Sequence, residues 1–357
     1  MNSRRLAPQS RRGAYIALVV LTAIWGGNWV VMKLALERAD PIVYNVERTW
    51  VAVAVLFAVL LWRHRRRIGA SVERAVPRVA SNPHPGRGCA RTQPPHPPRG
   101  PNSRLGRPGA LMPESWIAVV VTGFFQTTVN FGSTTMALAG GGAGRTSVLV
   151  FTMPFWTLLI AWPVLHERVR GSQWAAIAFA LAGLALVVEP WSWSGDLSPK
   201  LWAVLSGFGW AAGTIATKYY QRRHDLDMLN FIAWQMAIGV LPLTVLPLVM
   251  TLPSSQWSVA YAALLLWTGA VSTATGFLLW IAVLRFLPAG TASLNMFAIP
   301  VIALLSSMAL FGERLSGNEW TGIALIGAGL AIVSLRAWRA TRRGEALPAE
   351  PTPLEGG

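Results

Sequence analysis

One stretch of this chain is written twice, and that duplication restricts the fold more than any other feature. The run AGRTSVLVFTMPFWTLLIAWPVLHERVRGSQWAAIAFALAGLALVV (143–188) aligns without a gap to AGTASLNMFAIPVIALLSSMALFGERLSGNEWTGIALIGAGLAIVS (289–334), at a constant offset of 146. Gly144, Ser147, Phe151, Pro154, Glu167, Arg168, Gly171, Trp174 and Gly183 fall on Gly290, Ser293, Phe297, Pro300, Glu313, Arg314, Gly317, Trp320 and Gly329. Matched Pro, Glu-Arg, Gly and Trp at one spacing mark a repeat unit, so the chain reads as two halves. Each copy holds an apolar run with a Pro near its middle, a Glu-Arg-x-x-Gly turn, and a second apolar run rich in Gly and Ala. About 20 apolar residues at a rise of about 1.5 Å span a hydrocarbon core. Each copy is therefore expected to be a helical hairpin in a bilayer.

Composition agrees. Of 357 residues 53% are hydrophobic and only 13% charged, against about 25% charged in soluble domains. The single cysteine, Cys89, excludes an internal disulfide, and the five histidines all lie outside the apolar runs, which argues against a buried metal site.

Taken in order, residues 1–13 form a basic tail. Helices are expected at 14–36, 42–62, 116–138, 146–165, 174–188, 201–220, 228–250, 257–284, 291–311 and 319–337. The first is too long for the apolar region of a signal peptide and is read as retained. Between the second and third lies an Arg/Pro/Gly-rich stretch, 68–113, with too little apolar side chain to order itself; it is expected to be disordered. It is read either as a regulatory cytoplasmic loop or as a stretch translated out of frame. The repeat reaches back to the start of each half, where WGGNWVVMK (25–33) resembles WAAGTIATK (210–218). The units are thus 14–190 and 199–337, five helices each, followed by a polar tail, 338–357. An odd number of helices makes the second half enter the membrane from the opposite side. The expected fold is an all-α integral membrane protein of ten transmembrane helices, built as two inverted five-helix repeats, an arrangement found in many secondary transporters.

The net charge of +16 would suggest nucleic acid in a soluble chain. With the N-terminus placed inside, 25 of the 31 Lys and Arg fall in the tails and loops on that side, and Lys33, Arg38, Arg145, Lys200 and Arg314 fall outside. This is the positive-inside pattern, and it accounts for the charge with both termini cytoplasmic and no nucleic acid involved.

With the WGGNWVVMK segment, the Arg48 helix and the paired P…ER..G..W blocks in view, the sequence resembles an EamA-type member of the drug/metabolite transporter superfamily, over residues 14–66 and 115–337. The resemblance implies ten helices, a central cavity between the halves, and export of small metabolites such as amino acids across the inner (plasma) membrane. The family joins its second and third helices closely, so the long Arg/Pro stretch is a departure from it.

Charged groups inside a spanning helix are costly and usually face a polar cavity or a partner. Glu47 and Arg48 are adjacent, so at most one points inward. Arg48 is the candidate for binding a substrate carboxylate or locking a gate, against a snorkelling role at the interface. Asn28, Gln126, Asn130 and Asn295 supply amides for a polar lining, each weighed against plain interhelical hydrogen bonding. Trp25, Trp29 and Trp280 are the aromatic candidates for a cavity wall. Pro154 and Pro300, matched by the repeat, are candidate hinges, set against static kinks. Lys33 and Lys218 read as snorkelling anchors, and the Glu-Arg turns as local caps or interfacial ion pairs. No Walker loop, intramembrane His-Glu pair or nucleophile elbow is present. No catalytic residue, metal or cofactor is assigned. The expected function is secondary transport of a small molecule by alternating access. Proton exchange, with Glu47 the sole intramembrane acid, and facilitated diffusion both stay open as driving modes, and so does a homodimer. An intramembrane enzyme or a non-transporting scaffold are the alternatives.

Overall fold

In hydrocarbon each backbone N–H must find its acceptor within its own segment, so these apolar runs have helix as their solution. The computed structural model describes residues 8–75, 112–166, 171–189, 197–224, 226–286 and 298–343. Among these every regular element is helical. The elements are α1 (Pro8–Leu36), α2 (Pro41–Ala75), α3 (Trp116–Gly123) continued by a first π-helical segment (Phe124–Val129) and α4 (Asn130–Gly140), α5 (Ala143–Val150), α6 (Met153–Leu165), α7 (Ser172–Val188), α8 (Ser198–Gln221), α9 (Met228–Val249), α10 (Val259–Leu266) continued by a second π segment (Trp267–Thr275) and α11 (Gly276–Phe286), α12 (Ala298–Phe311) and α13 (Gly317–Arg343). Among the described residues six stretches are long and apolar enough to cross a membrane: Gly13–Leu36, Pro41–Arg66, Ala143–Leu165, Met228–Val249, Val259–Val283 and Gly317–Arg336.

Helix starts are capped where the sequence supplies an oxygen. Ser115 accepts from Ala118 N–H at 3.3 Å, Asp227 from Leu229 N–H at 3.1 Å, and Ser258 from Tyr261 N–H at 3.1 Å. Several boundaries differ from expectation: α1 begins at Pro8 inside the expected tail, α13 runs on to Arg343, and the helix expected over 146–165 is broken at Phe151–Thr152. Residues 68–75, read as the start of a disordered stretch, continue α2 to Ala75. Their local sequence, IGASVERA, holds two Ala, a Glu and an Arg, which are good helix formers, and an existing helix extends without a new nucleus. Residues 76–111 lie outside the described residues.

The exterior is apolar: Val19, Trp62, Ile117, Val245, Leu248 and Leu310 are all exposed. The interior carries Asn28, Asn45, Arg48, Asn130, Ser206 and Gln235 among its buried side chains. This inversion of the soluble pattern is what a lipid solvent demands.

Packing follows the repeat. α7 and α13, corresponding elements of the two copies, lie along each other. They meet at glycine: a Cβ on Gly183 would sit 2.5 Å from the Gly322 carbonyl oxygen, and one on Gly322 2.6 Å from that of Gly183. Close helix approach through small residues is the usual way to associate in a membrane. α1 packs on α11 and α12, while α8 packs on α4 and α6; α2 packs on α9 and the second π segment, while α9 packs on α3 and the first. The π segments also correspond. Phe124–Val129, moved by 146, falls on residues 270–275 within Trp267–Thr275. Thr122, Gly123, Thr127 and Phe131 then fall on Thr268, Gly269, Thr273 and Phe277, extending the sequence match into a region where it is faint.

Candidate functional site

Three helices of the first half, α1, α2 and α4, bring a small polar group together. α2 supplies Tyr44, Asn45 and Arg48, which share one face at i, i+1 and i+4. The Arg48 guanidinium is buried, with Arg48 only 4% exposed. Its Nε donates to Asn45 Oδ1 at 3.0 Å. Its central carbon lies 4.6 Å from the centre of the Phe131 ring on α4 and 5.9 Å from that of Tyr44. Nη1 approaches the Met32 sulfur of α1 at 4.0 Å, and the same sulfur accepts from Asn28 Nδ2 at 3.0 Å. The second π segment fixes the backbone here, since a Cβ on Gly269 would lie 2.6 Å from the Arg48 carbonyl oxygen.

Among the described residues no carboxylate pairs with Arg48. Aromatic faces attract the cation by about 0.5–2 kcal/mol each. Those contacts do not replace an anion: removing a cation from water costs several kcal/mol. Three neighbours also keep open valences, because Asn28 Oδ1, Asn45 Nδ2 and the Tyr44 hydroxyl are buried without a hydrogen-bond partner. A buried cation beside an unused acceptor and an unused donor is a chemical complement to a small polar anion.

Other expected residues take different positions. Trp25 and Trp280 face each other with ring centres 6.3 Å apart, and Trp25 also meets Phe277 at 6.2 Å. The Trp25 indole donates to the Ser272 carbonyl at 3.0 Å, fastening α1 to the second π segment. Trp29 is buried in the apolar core with Leu149 and Ile299. Asn130 turns to α8, donating to the Ser206 carbonyl at 2.9 Å and hydroxyl at 2.8 Å. Gln126 lies against Gly213 of the same helix. Pro154 is the second residue of α6, immediately after a break at Phe151–Thr152. Having no N–H, it leaves the Val150 carbonyl without its helical donor, and Gly207 of α8 packs on that carbonyl. Pro300 is the third residue of α12. Asn295 lies outside the described residues.

Glu47 points away from Arg48. Its carboxylate accepts from the Ser255 hydroxyl at 2.9 Å and from the Tyr261 hydroxyl, tying α2 to α10. Lys33 is not a free anchor: its ammonium donates to the carbonyls of Leu138 at 2.6 Å and Gly141 at 2.8 Å, capping α4. An apolar groove between α2 and α9, lined by Trp50, Phe57, Trp234 and Leu241, is separate from this polar group.

Tyr44 and Asn45 were readable as partners of Arg48 from helical spacing. Met32 and Phe131 carried no such signal, because an apolar residue in an apolar run looks the same whether it faces a cation or a neighbouring helix.

The model of the EamA-like transporter family matches residues 12–76, 104–189 and 197–335, and is interrupted over 77–103, inside the Arg/Pro-rich stretch. An uncharacterized transporter of Bacillus subtilis (strain 168), YoaV, is 22% identical over 319 residues, covering 88% of this chain and 94% of its own. A probable amino-acid metabolite efflux pump of Escherichia coli (strain K12) is 25% identical over 335 residues, covering 90% and 95%. A protein solved by crystallography superposes with a TM-score of 0.55 at 16% identity, over 94% of this chain and 99% of that one. At that identity the likeness speaks for the fold alone.

Proposed function

The chain belongs to the EamA-like transporter family, and from that premise we propose that this multi-pass membrane transporter exports a small carboxylate-bearing metabolite, such as an amino acid, by alternating access. The observation that carries the reading is Arg48, buried among α1, α2 and α4 and, among the described residues, without a carboxylate partner. A substrate carboxylate would satisfy the cation, and Asn28 Oδ1 and Asn45 Nδ2 would meet polar groups beside it. The name of the Escherichia coli relative supports the substrate class.

Alternation draws its support from the repeat. In this reading the chain is two inverted five-helix halves that rock about the central group. The correspondence of α1 on α11 with α8 on α4, and of α2 with α9, is the pattern such halves would make. Both termini are assigned to the cytoplasm by the positive-inside bias, and the membrane to the inner (plasma) membrane.

The test is solute release. Cells expressing the parent and Arg48→Ala at matched membrane levels are compared for amino acids and related acids in the medium. One carboxylate raised by the parent and not by the variant is the expected result. Equal release from both, with the protein correctly inserted, removes Arg48 from the mechanism.

A further inference from the structure

The polar group around Arg48 is asymmetric in donors and acceptors, and the asymmetry bears on what a substrate carries beside its carboxylate. Asn28 and Met32 lie at i and i+4 on one face of α1. The Asn28 amide is oriented by that neighbour: Nδ2 donates to the Met32 sulfur at 3.0 Å, and Oδ1 is left buried without a donor. The Asn45 amide is oriented the opposite way. Its Oδ1 accepts from Arg48 Nε at 3.0 Å, and Nδ2 is left without an acceptor. Arg48 Nη1 approaches the same Met32 sulfur at 4.0 Å, so Asn28 and the guanidinium touch one and the same atom. Arg48 and Asn45 thus present donors, and Asn28 Oδ1 presents an amide acceptor beside them. The Tyr44 hydroxyl, also unpartnered, serves as either. A carboxylate fits the donors. The substituent on its neighbouring carbon then falls to Asn28, where an acceptor requires a donor.

Two kinds of donor occur at that carbon in small metabolites. A hydroxyl or an acylated amine is neutral and has one hydrogen to give, which Asn28 Oδ1 meets one to one. A free ammonium has three hydrogens and a charge. It sets a second cation beside the guanidinium, where repulsion at the effective dielectric of a protein is about four times that in water. No acid offsets it. Among the described residues the hydrogen bonds and ion pairs bring no carboxylate to Asn28 or Arg48. Glu47 is turned to Ser255 and Tyr261, and residues 287–297 contain no Asp or Glu. The Phe131 ring, an alternative seat for a cation, is already covered by Arg48.

We propose that Asn28 is a specificity-determining residue, and that the protein carries carboxylates with a neutral α-donor, 2-hydroxy acids being the simplest, in preference to free amino acids of the same carbon skeleton. The inference rests on the carboxylate reading of Arg48 and ranks the members of that class. A bound 2-hydroxy acid neutralises the guanidinium and gives Asn28 Oδ1 its donor. An amino acid neutralises the same charge and brings another in its place.

The experiment measures efflux from proteoliposomes holding the full-length chain, with release from protein-free vesicles subtracted. The vesicles are loaded with equal amounts of leucine, 2-hydroxy-4-methylpentanoate and 4-methylpentanoate, which share one skeleton, and in a second series with phenylalanine, 3-phenyllactate and 3-phenylpropanoate. The hydroxy acid is expected to leave about tenfold faster than either companion, the effect of leaving a buried acceptor unmet or a cation uncompensated. The amino acid or the unsubstituted acid at the hydroxy acid's rate or above overturns the ranking and leaves the carboxylate reading standing. Protein-dependent release of none of the six acids overturns the carboxylate reading, and the ranking with it. Asn28→Leu keeps the shape of the side chain and removes the acceptor, so the ratio of hydroxy acid to unsubstituted acid should fall to about one. Asn28→Asp supplies the missing negative charge and should raise the amino acid relative to the hydroxy acid. Each ratio is read within one preparation, so a poorly folded variant lowers all rates together. Where a variant is too slow to follow, the ligand-induced rise of its unfolding midpoint in micelles gives the same ranking from binding. Parent ratios retained in both variants overturn the assignment to Asn28.

Discussion

Replacing Arg48 by methionine separates transport from folding. The guanidinium donates to Asn45 Oδ1 at 3.0 Å, has only a long contact to the Met32 sulfur at 4.0 Å, and lies 4.6 Å from the Phe131 ring. A hydrogen bond to a charged group contributes about 1.5–3 kcal/mol, and a desolvated cation–π contact about 2 kcal/mol. Against this stands several kcal/mol for holding the cation out of water. Methionine fills a similar length, removes the charge and leaves Asn45 Oδ1 without its donor, which returns about 1–3 kcal/mol of cost. The terms nearly cancel, so Arg48→Met is expected to unfold within about 2 kcal/mol of the parent. Equilibrium unfolding in mixed detergent micelles measures that difference, and solute release from cells measures transport. Stability near the parent with release reduced to background is the expected pair of results. A loss beyond about 3 kcal/mol would mean that the guanidinium is held for the fold. Retained release with normal stability would mean that it serves neither role.

Asn130→Ala should lower stability in the same micelle assay by about 1 kcal/mol, the scale of an interhelical hydrogen bond in a membrane, with release retained, because its amide is spent on Ser206. Gly322→Ala should destabilise by about 1–3 kcal/mol, since its methyl must push α13 off α7; an unchanged midpoint would contradict the packing. Pro154→Ala restores a donor for the Val150 carbonyl and joins α5 to α6; slower release at unchanged stability is expected if the break is a hinge, and release at the parent rate marks a static kink. Glu47→Gln tests proton exchange. Release that no longer responds to an imposed pH gradient assigns the proton to Glu47, and an unaltered response removes it.

The repeat, the helical character and the membrane setting were all legible, because each rests on patterns local in sequence. The spacing of Tyr44, Asn45 and Arg48 on one helix was legible for the same reason. What escaped depends on how helices meet. The π segments leave no signature in an apolar run, and the α3–α4 correspondence with α10–α11 rests on Thr122, Gly123, Thr127 and Phe131 among unlike neighbours. Glu313 read as a local cap or an interfacial ion pair; it caps α5 in the other half and lies 3.7 Å from Arg145 Nε, a partner distant in sequence. Lys33 read as a snorkelling anchor, but a helix C-terminus with free carbonyls lay within its reach. Asn130 was weighed as a cavity amide against plain interhelical hydrogen bonding, and its bonds to Ser206 are of the second kind.

The two halves repeat their backbone more faithfully than their charges. Gly269 packs on the Arg48 carbonyl, and its counterpart Gly123 packs in the same way on the Gln235 carbonyl, where an added Cβ would sit 2.5 Å away. The repeat thus sets Gln235 on α9 where Arg48 stands on α2, and both side chains are buried. A backbone position used twice carries a cation in one half and a neutral amide in the other. If both carried Arg, two unpaired cations would share one low-dielectric interior, each raising the cost of the other. With one, the centre holds a single positive charge that a single carboxylate can neutralise. The same division appears in the duplicated sequence, where Arg145 and Glu319 correspond to Thr291 and Gln173 at the 146 offset. On the proposed alternating-access reading, matched backbones would give the halves two equivalent ways to pack, and unmatched side chains would decide which packing is preferred and what sign of charge is welcome between them.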